Sequence, residues 1–232
     1  MKFIIGNWKM NGNMDEKETF LKVLKNVHTD NKIIICLPFT LLYGKDYDIT
    51  IGAQDISEHN NGAFTGDISG QMLAGADIKY VIVGHSERRQ YHNETNETTR
   101  AKAIAAIKSG LIPIICIGET AKDKDAGRTM TVVKKMLLES IPARGKYIVA
   151  YEPRWAIGSG KVPTTDEITA VFETIHKALI NTGHKDIPLL YGGSVNADNA
   201  KSIVSIPHVD GLLIGGASLK SETFLPIIKS ID

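Results

Sequence analysis

Cysteine is scarce: Cys36 and Cys116 are the only two in 232 residues. Both lie inside apolar runs without metal-type spacing, which argues against a disulfide or a metal site and for buried free thiols. An excess of either charge is also missing, with 27 Lys+Arg against 26 Asp+Glu and a net charge of +1. That balance lacks the basic footprint of a nucleic-acid binder, so no nucleic-acid partner is expected and any anionic ligand must be held locally. No stretch is apolar for long enough to span a bilayer, and the run over residues 1–6 is too short for a signal sequence, being broken by Asn7 and Lys9. A soluble cytoplasmic protein without a membrane partner is the expectation. Pro/Ser-rich or charge-block linkers are absent too, so residues 1–232 are read as a single domain whose 43% hydrophobic content supports a sizeable core.

What is present is an alternation of short apolar runs with amphipathic segments. Strands are expected over residues 3–6, 33–37, 49–53, 80–84, 112–117, 147–151, 188–191 and 211–214. Helices are expected over 14–28, 94–109, 130–140, 164–181 and 196–205, some opened by a capping residue such as Thr164 or Asn196. Strands alternating with helices imply parallel pairing through right-handed crossovers. Eight such repeats in a chain of this length point to a closed eight-stranded parallel β/α barrel (TIM barrel). Closure itself is not readable from periodicity, and an open doubly wound sheet is the alternative.

The most informative stretch is YEPRWAIGSGK, residues 151–161. Glu152 ends an apolar strand that Pro153 bars from continuing, so its carboxylate is held at a strand tip. The following Trp155, Ala156 and Ile157, then Gly158, Ser159 and Gly160, put apolar side chains on a connector, as a flap over a ligand does. The plainer alternative is an ordinary turn whose Trp155 packs into the core. In a β/α barrel the strand C-termini share the face that carries the site. The first strand delivers Asn7 and Lys9 there, the fourth His85 and Glu87, the sixth Glu152. The seventh and eighth end in YGGSV (191–195) and GGASL (215–219), glycine-rich turns whose N–H groups can surround a phosphate without net positive charge. Each residue alone has a bland reading: His85 as a helix cap or core residue, Lys9 as a solvated charge, Glu87 as an ion-pair partner, the glycines as tight turns. Joint placement of a carboxylate, an imidazole, a lysine and an anion cradle on different strand ends is poorly explained by coincidence.

These motifs, with GNWKMNG (6–12), NGAFTG (61–66), VGHSERR (83–89) and IGET (117–120), occur in an order and spacing that resembles the triosephosphate isomerase family over essentially the whole chain. The resemblance implies interconversion of dihydroxyacetone phosphate and glyceraldehyde 3-phosphate, in glycolysis and gluconeogenesis, without cofactor or metal, by a homodimer acting on a small phosphorylated triose. It implies that Glu152 is the base, that neutral His85 polarises the carbonyl, that Lys9 stabilises developing negative charge and that Asn7 orients Lys9 and ligand. The neutral histidine beside a helix N-terminus and the closing loop are assignments known for this family and enter by resemblance alone. Phosphate contacts carry over to Gly158, Ser194, Gly215 and Gly216; Glu87 matches the family's acidic partner near Lys9, and Thr65 on NGAFTG would reach the neighbouring subunit's site.

Some features depart from the family's pattern. Only about ten residues, 38–48, separate the second and third strands, so the second helix must be very short or replaced by a turn. The fifth helical region is also expected to be abbreviated. Arg154 and Pro163 occupy lid hinges where an apolar residue and Ala are usual, and residues 121–127 lack the family's Glu-Arg pattern, leaving their ion pairing open. Two other functions compete. A sugar-phosphate epimerase on the same kind of barrel would need metal-ligating strand ends or a longer pocket, and the single histidine at the strand ends argues against it. A retired barrel kept as a scaffold would show loss of Glu152, His85 or Lys9, and all three are present.

Overall fold

The computed structural model describes residues 1–43, 49–158 and 160–232. Eight parallel strands close into a barrel in sequence order: β1 (Phe3–Asn7), β2 (Lys32–Leu37), β3 (Thr50–Ala53), β4 (Tyr80–Val83), β5 (Ile112–Ile117), β6 (Ile148–Tyr151), β7 (Leu189–Tyr191) and β8 (Gly211–Ile214). The closed architecture is the expected one, and the open sheet is ruled out by the pairing of β8 with β1, Phe3 opposite Gly211 and Gly6 opposite Ile214. Parallel register with a side-chain period of two divides the core in two. Ile5, Ile34, Cys36, Ile82, Ile114, Cys116, Ala150 and Leu213 form one cluster, inside the barrel. Their neighbours Ile4, Ile35, Val81, Ile115, Val149 and Leu212 join the helices in the larger outer cluster. Both cysteines are buried free thiols on the inner side.

Helices α1 (Met14–Leu24), α2 (Gly70–Gly75), α3 (Ser86–Tyr91), α4 (Asn96–Lys108), α5 (Ala121–Asp125), α6 (Thr129–Ser140), α7 (Thr165–Asn181), α8 (Ala197–Val204) and α9 (Ser221–Ile231) surround the barrel. Capping boxes open α7 at Thr164–Glu167 and α8 at Asn196–Asn199, as the sequence foretells. Four features differ from the sequence reading. The first helix stops at Leu24 rather than 28 because the Asn26 and Val27 amides turn to carbonyls three residues back. The β4-to-β5 connection is split into α3 and α4, with Asn93 between them in the left-handed region at φ 56°. The abbreviation of the fifth region is confined to α5, and α6 keeps 12 residues. Helix α9 has no counterpart in the sequence reading, and it contains Pro226, which removes an N–H donor from its interior. Between β2 and β3 a 3-10 turn at Phe39–Leu41 stands where a very short helix or turn is expected; residues 44–48 of that connection lie outside the described residues.

Barrel closure depends on a missing side chain. A Cβ on Gly211 would lie 2.1 Å from the Phe3 carbonyl oxygen, whereas one on Gly75 would meet nothing within 4 Å. The same substitution therefore has opposite expected outcomes: Gly211→Ala should destabilise by at least about 2 kcal/mol in urea unfolding, while Gly75→Ala should be neutral or stabilising by up to about 1 kcal/mol.

Candidate active site

At the C-terminal end of the barrel, β1 finishes in buried Asn7, whose Oδ1 accepts the Lys9 amide at 3.0 Å. That bond stabilises a backbone most side chains avoid, since Lys9 has φ 53°. Trp8 between them is buried and locked by its indole N–H, which donates to the Ser218 carbonyl at 2.9 Å. Lys9 is thereby aimed across the mouth, where Nζ pairs with Glu87 Oε1 at 2.5 Å. The ion-pair reading of Glu87 is thus the geometry found.

His85 and Glu152 follow strands β4 and β6, which only β5 separates, and they meet. His85 caps α3: its Nδ1 accepts the Glu87 amide at 3.2 Å, which leaves the proton of a neutral ring on Nε2. Nε2 lies 3.0 Å from Glu152 Oε1, and the Ser86 amide donates to Glu152 Oε2 at 3.1 Å. Burial alone would push the carboxyl pKa up, but His85, the Ser86 N–H and Lys9 hold it below its ordinary value. On the imidazole, burial pushes down and the Glu152 carboxylate pulls up and wins. With its folded pKa depressed, ionised Glu152 contributes stability above the ordinary carboxylate range, lost as pH falls through the folded value. Two glycines fix its position from behind. A Cβ on Gly118 would fall 1.7 Å from the Glu152 carbonyl oxygen, and one on Gly192 would fall 2.9 Å from Glu152 Cγ.

The other end of the mouth is made by backbone. Ser194 lies before α8, and β8 leads through Gly215 into a 3-10 turn at Gly216–Ser218, whose first N–H groups have no carbonyl within the turn. The segment after Glu152 folds over this side: Ser194 Oγ donates to the Ala156 carbonyl at 2.6 Å, and Gly158 takes φ 65°. Ala156 is fully buried. Trp155 is half-buried, its Nε1 donating to Glu119 Oε1 at 2.8 Å and its ring lying 3.3 Å below Lys124 Nζ. The plain reading of Trp155, packing into the core, therefore describes part of it. Ser159 lies outside the described residues.

One cavity of about 290 Å³ is lined by Asn7, Lys9, His85, Glu152, Gly158, Ser194, Gly215 and Gly216. Glu87 stands at its edge through Lys9. Thr65 is not among the lining residues of this chain's cavity; it is exposed on the loop after β3, beside Phe64, whose ring stacks on His59 at 3.9 Å. Sequence reasoning missed Ser86, Gly118 and Glu119 as members. Glu119, buried at the end of β5, also accepts from Tyr151 Oη at 3.2 Å; its signal was a carboxylate closing the apolar run of IGET. The open ion-pairing question over residues 121–127 resolves as Arg128 on Asp123 at 2.7 Å and Lys124 on Glu167 at 3.1 Å.

A closed β/α barrel with a carboxylate and an imidazole meeting at its mouth, in a chain whose solved structural relative is an isomerase, places the protein among the β/α-barrel isomerases. More narrowly, the chain belongs to the triosephosphate isomerase family, whose model matches residues 2–231. It is similar to triosephosphate isomerase of Chlamydia trachomatis serovar D, 44% identical with 100% of this chain and 90% of that protein covered. The protein of the same description from Albidiferax ferrireducens is 44% identical, with 99% and 98% covered. The crystal structure of triosephosphate isomerase from Bartonella henselae superposes with a TM-score of 0.86 at 37% identity, covering 99% of this chain and 98% of that one. The activity is interconversion of dihydroxyacetone phosphate and glyceraldehyde 3-phosphate, a step of glycolysis.

Because Gly192 backs the carboxylate, Gly192→Ala should push Glu152 out of line. Turnover is expected to fall by about 10²-fold, the cost of a misplacement near 1 Å, with the far-UV circular dichroism spectrum unchanged. Wild-type turnover in this variant would show that the glycine does not set the position of Glu152.

Proposed function

We propose that Glu152 is the base that removes a carbon-bound proton and returns it to the neighbouring carbon, with His85, Lys9 and Asn7 stabilising the enediolate between the two steps. The observation that carries this reading is the convergence of these four side chains and the Ser194, Gly215 and Gly216 turns on one cavity. Both Glu152 oxygens are engaged, one by His85 and one by the Ser86 amide. The carboxylate is therefore stored as an ion and must turn away from its partners to reach a substrate carbon. That turn withdraws the larger of the two charges that raise the His85 pKa; the Glu87 carboxylate still raises it, while burial, Lys9 and the Glu87 N–H at Nδ1 oppose an imidazolium. A neutral ring results, its Nε2–H free to donate to the substrate's carbonyl oxygen and to shuttle protons between the two oxygens. Lys9 supplies fixed positive charge beside them, held by Asn7 and Glu87.

The phosphate would be held by N–H groups at Gly215, Gly216 and Gly158 and by Ser194, with the segment from Trp155 to Gly160 closing over it to exclude water. Remote binding energy then drives closure, so phosphate-free glyceraldehyde should turn over far more slowly than glyceraldehyde 3-phosphate, and inorganic phosphate should compete with substrate. Comparable turnover of the two aldehydes would contradict the assignment.

A homodimer is part of the same reading. Met10, Met14, Phe64 and Met72 are large apolar side chains left exposed, and Phe64 and Thr65 lie on the loop that would reach the partner's Asn7 and Lys9. Phe64→Glu should shift the sedimentation coefficient from dimer to monomer and weaken activity; a native monomer, or a mutant that stays dimeric, would count against it. No helix among the described residues is long and apolar enough to cross a membrane, and with a glycolytic activity this supports the cytoplasm as the location.

The decisive test is the base. Glu152→Asp keeps the charge but draws the oxygens back by about 1 Å, and turnover should fall on the order of 10²-fold with inhibition by inorganic phosphate unchanged. Glu152→Gln should lower turnover further. An Asp variant with wild-type turnover would remove Glu152 from the mechanism.

A further inference from the structure

Arg89, one turn along α3 from His85, pairs with no carboxylate among the described residues, and the four acceptors its guanidinium reaches there are uncharged. Nε donates to the Gly84 carbonyl at 2.7 Å, Nη1 to Asn96 Oδ1 at 2.7 Å, and Nη2 to the Cys116 carbonyl at 3.1 Å and Ser140 Oγ at 3.3 Å. The neighbouring Arg88 is by contrast paired with Asp55 and Glu94. Burial lowers the Arg89 pKa, as expected for a cation without an adjacent counter-ion.

Its bonds end on the backbone that carries the reacting pair. Gly84 immediately precedes His85, and it has to be glycine: its φ is 64°, and a Cβ would lie 2.9 Å from Arg89 Nη2. The Arg89 amide itself donates to the His85 carbonyl at 3.1 Å. Cys116 is on β5, opposite Ala150 of β6, and the next β5 carbonyl, Ile117, accepts the Glu152 amide at 2.7 Å. One planar side chain therefore ties the end of β4, which bears His85, to the end of β5, on which Glu152 hangs, and braces both against α4 and α6. With Ser86, Cys116, Gly118, Glu152 and Arg154 it lines a gap with no room for a water, so little solvent lies between its charge and Glu152.

We propose that Arg89 is a positioning residue for the isomerisation: its fixed four-way geometry sets the spacing at which His85 and Glu152 meet, and its charge supports the carboxylate from behind. The inference rests on Glu152 being the base. The Glu152→Asp comparison tests that assignment separately, so full turnover there defeats the base assignment, whereas an Arg89 failure with Glu152 still sensitive defeats only this inference.

The alternative, an arginine that merely stabilises the fold, predicts something different. The test compares Arg89→Lys and Arg89→Met with the wild type in kcat and KM per folded molecule, in inhibition by inorganic phosphate, and in the acid limb of the kcat/KM profile. Arg89→Met should lower kcat by about 10²-fold, a cost matching misplacement of the reacting groups, with KM and phosphate inhibition within about threefold. Its acid limb should move to higher pH, because Glu152 loses a positive charge while His85, Lys9, Arg154 and the Cys116 thiol around it are unchanged. Arg89→Lys keeps the charge but cannot span four acceptors: the acid limb should stay at its wild-type pH while kcat drops by about tenfold. Wild-type kcat per folded molecule in the Lys variant overturns the proposal, and that outcome can be read even if the Met variant does not fold. So do equal acid limbs in Met and wild type, or losses that track only the folded fraction.

Discussion

A buried negative charge is the constraint on which the rest of the site depends. Glu152 is 3% exposed, and an ionised carboxylate so placed is tolerable only if charge and hydrogen bonds replace its water. They do so from three directions: the Ser86 amide at the start of α3, the His85 ring, and more distantly Lys9. Each supplier is fixed by something else. The Ser86 and Glu87 amides point inward because α3 begins there; Lys9 is cocked by Asn7 and tethered by Glu87. The carboxylate is thus stabilised by groups that suit a proton-transfer site, and it lies against backbone where only glycine fits, at Gly118 and Gly192.

A second buried carboxylate, Glu119, acts on the lid. It accepts from Tyr151 and from Trp155, and so ties the last residue of β6 to the apolar anchor of the flap. Arg154, at the hinge where an apolar residue is usual, has its amide on the Glu119 carbonyl at 3.1 Å and its guanidinium 3.3 Å from Gln90 Oε1. Lys124 covers the Trp155 ring and reaches Glu167 in the first turn of α7. The flap is therefore moored at Arg154, Trp155 and Ala156, to β5, α5 and Ser194 respectively. The segment after Glu152 is thus held by polar bonds and one cation–π contact as well as by the buried Ala156.

Much of this was legible in the chain because the relevant signals are local. Apolar runs bounded by glycine and proline marked all eight strands to within a residue or so, and Thr164 and Asn196 marked helix starts through capping chemistry that needs only four consecutive residues. Strand-end position then assigned Asn7, Lys9, His85 and Glu152 to one face. The helices misjudged were those whose limits are set otherwise. Helix α9, not among the expected helices, persists through Pro226 because Phe224, Ile227 and Ile228 are fully buried against the barrel, which outweighs the lost backbone bond.

The sequence by itself determined the parallel β/α order, the inward alternation of the strands and the identity of the groups brought to the barrel mouth, since a period of two and a strand's polarity follow from the chain alone. Only the tertiary structure decided closure, through the seam between Phe3 and Gly211, and the distances that turn separate residues into a site. No local pattern encodes the 3.0 Å between His85 and Glu152, the hold of Arg89 on two strand ends or the bond from Trp155 to Glu119. Apart from the short reach of Arg89 to Gly84, those contacts join residues 27 or more positions apart, and their geometry is fixed by how eight strands pack around a common core.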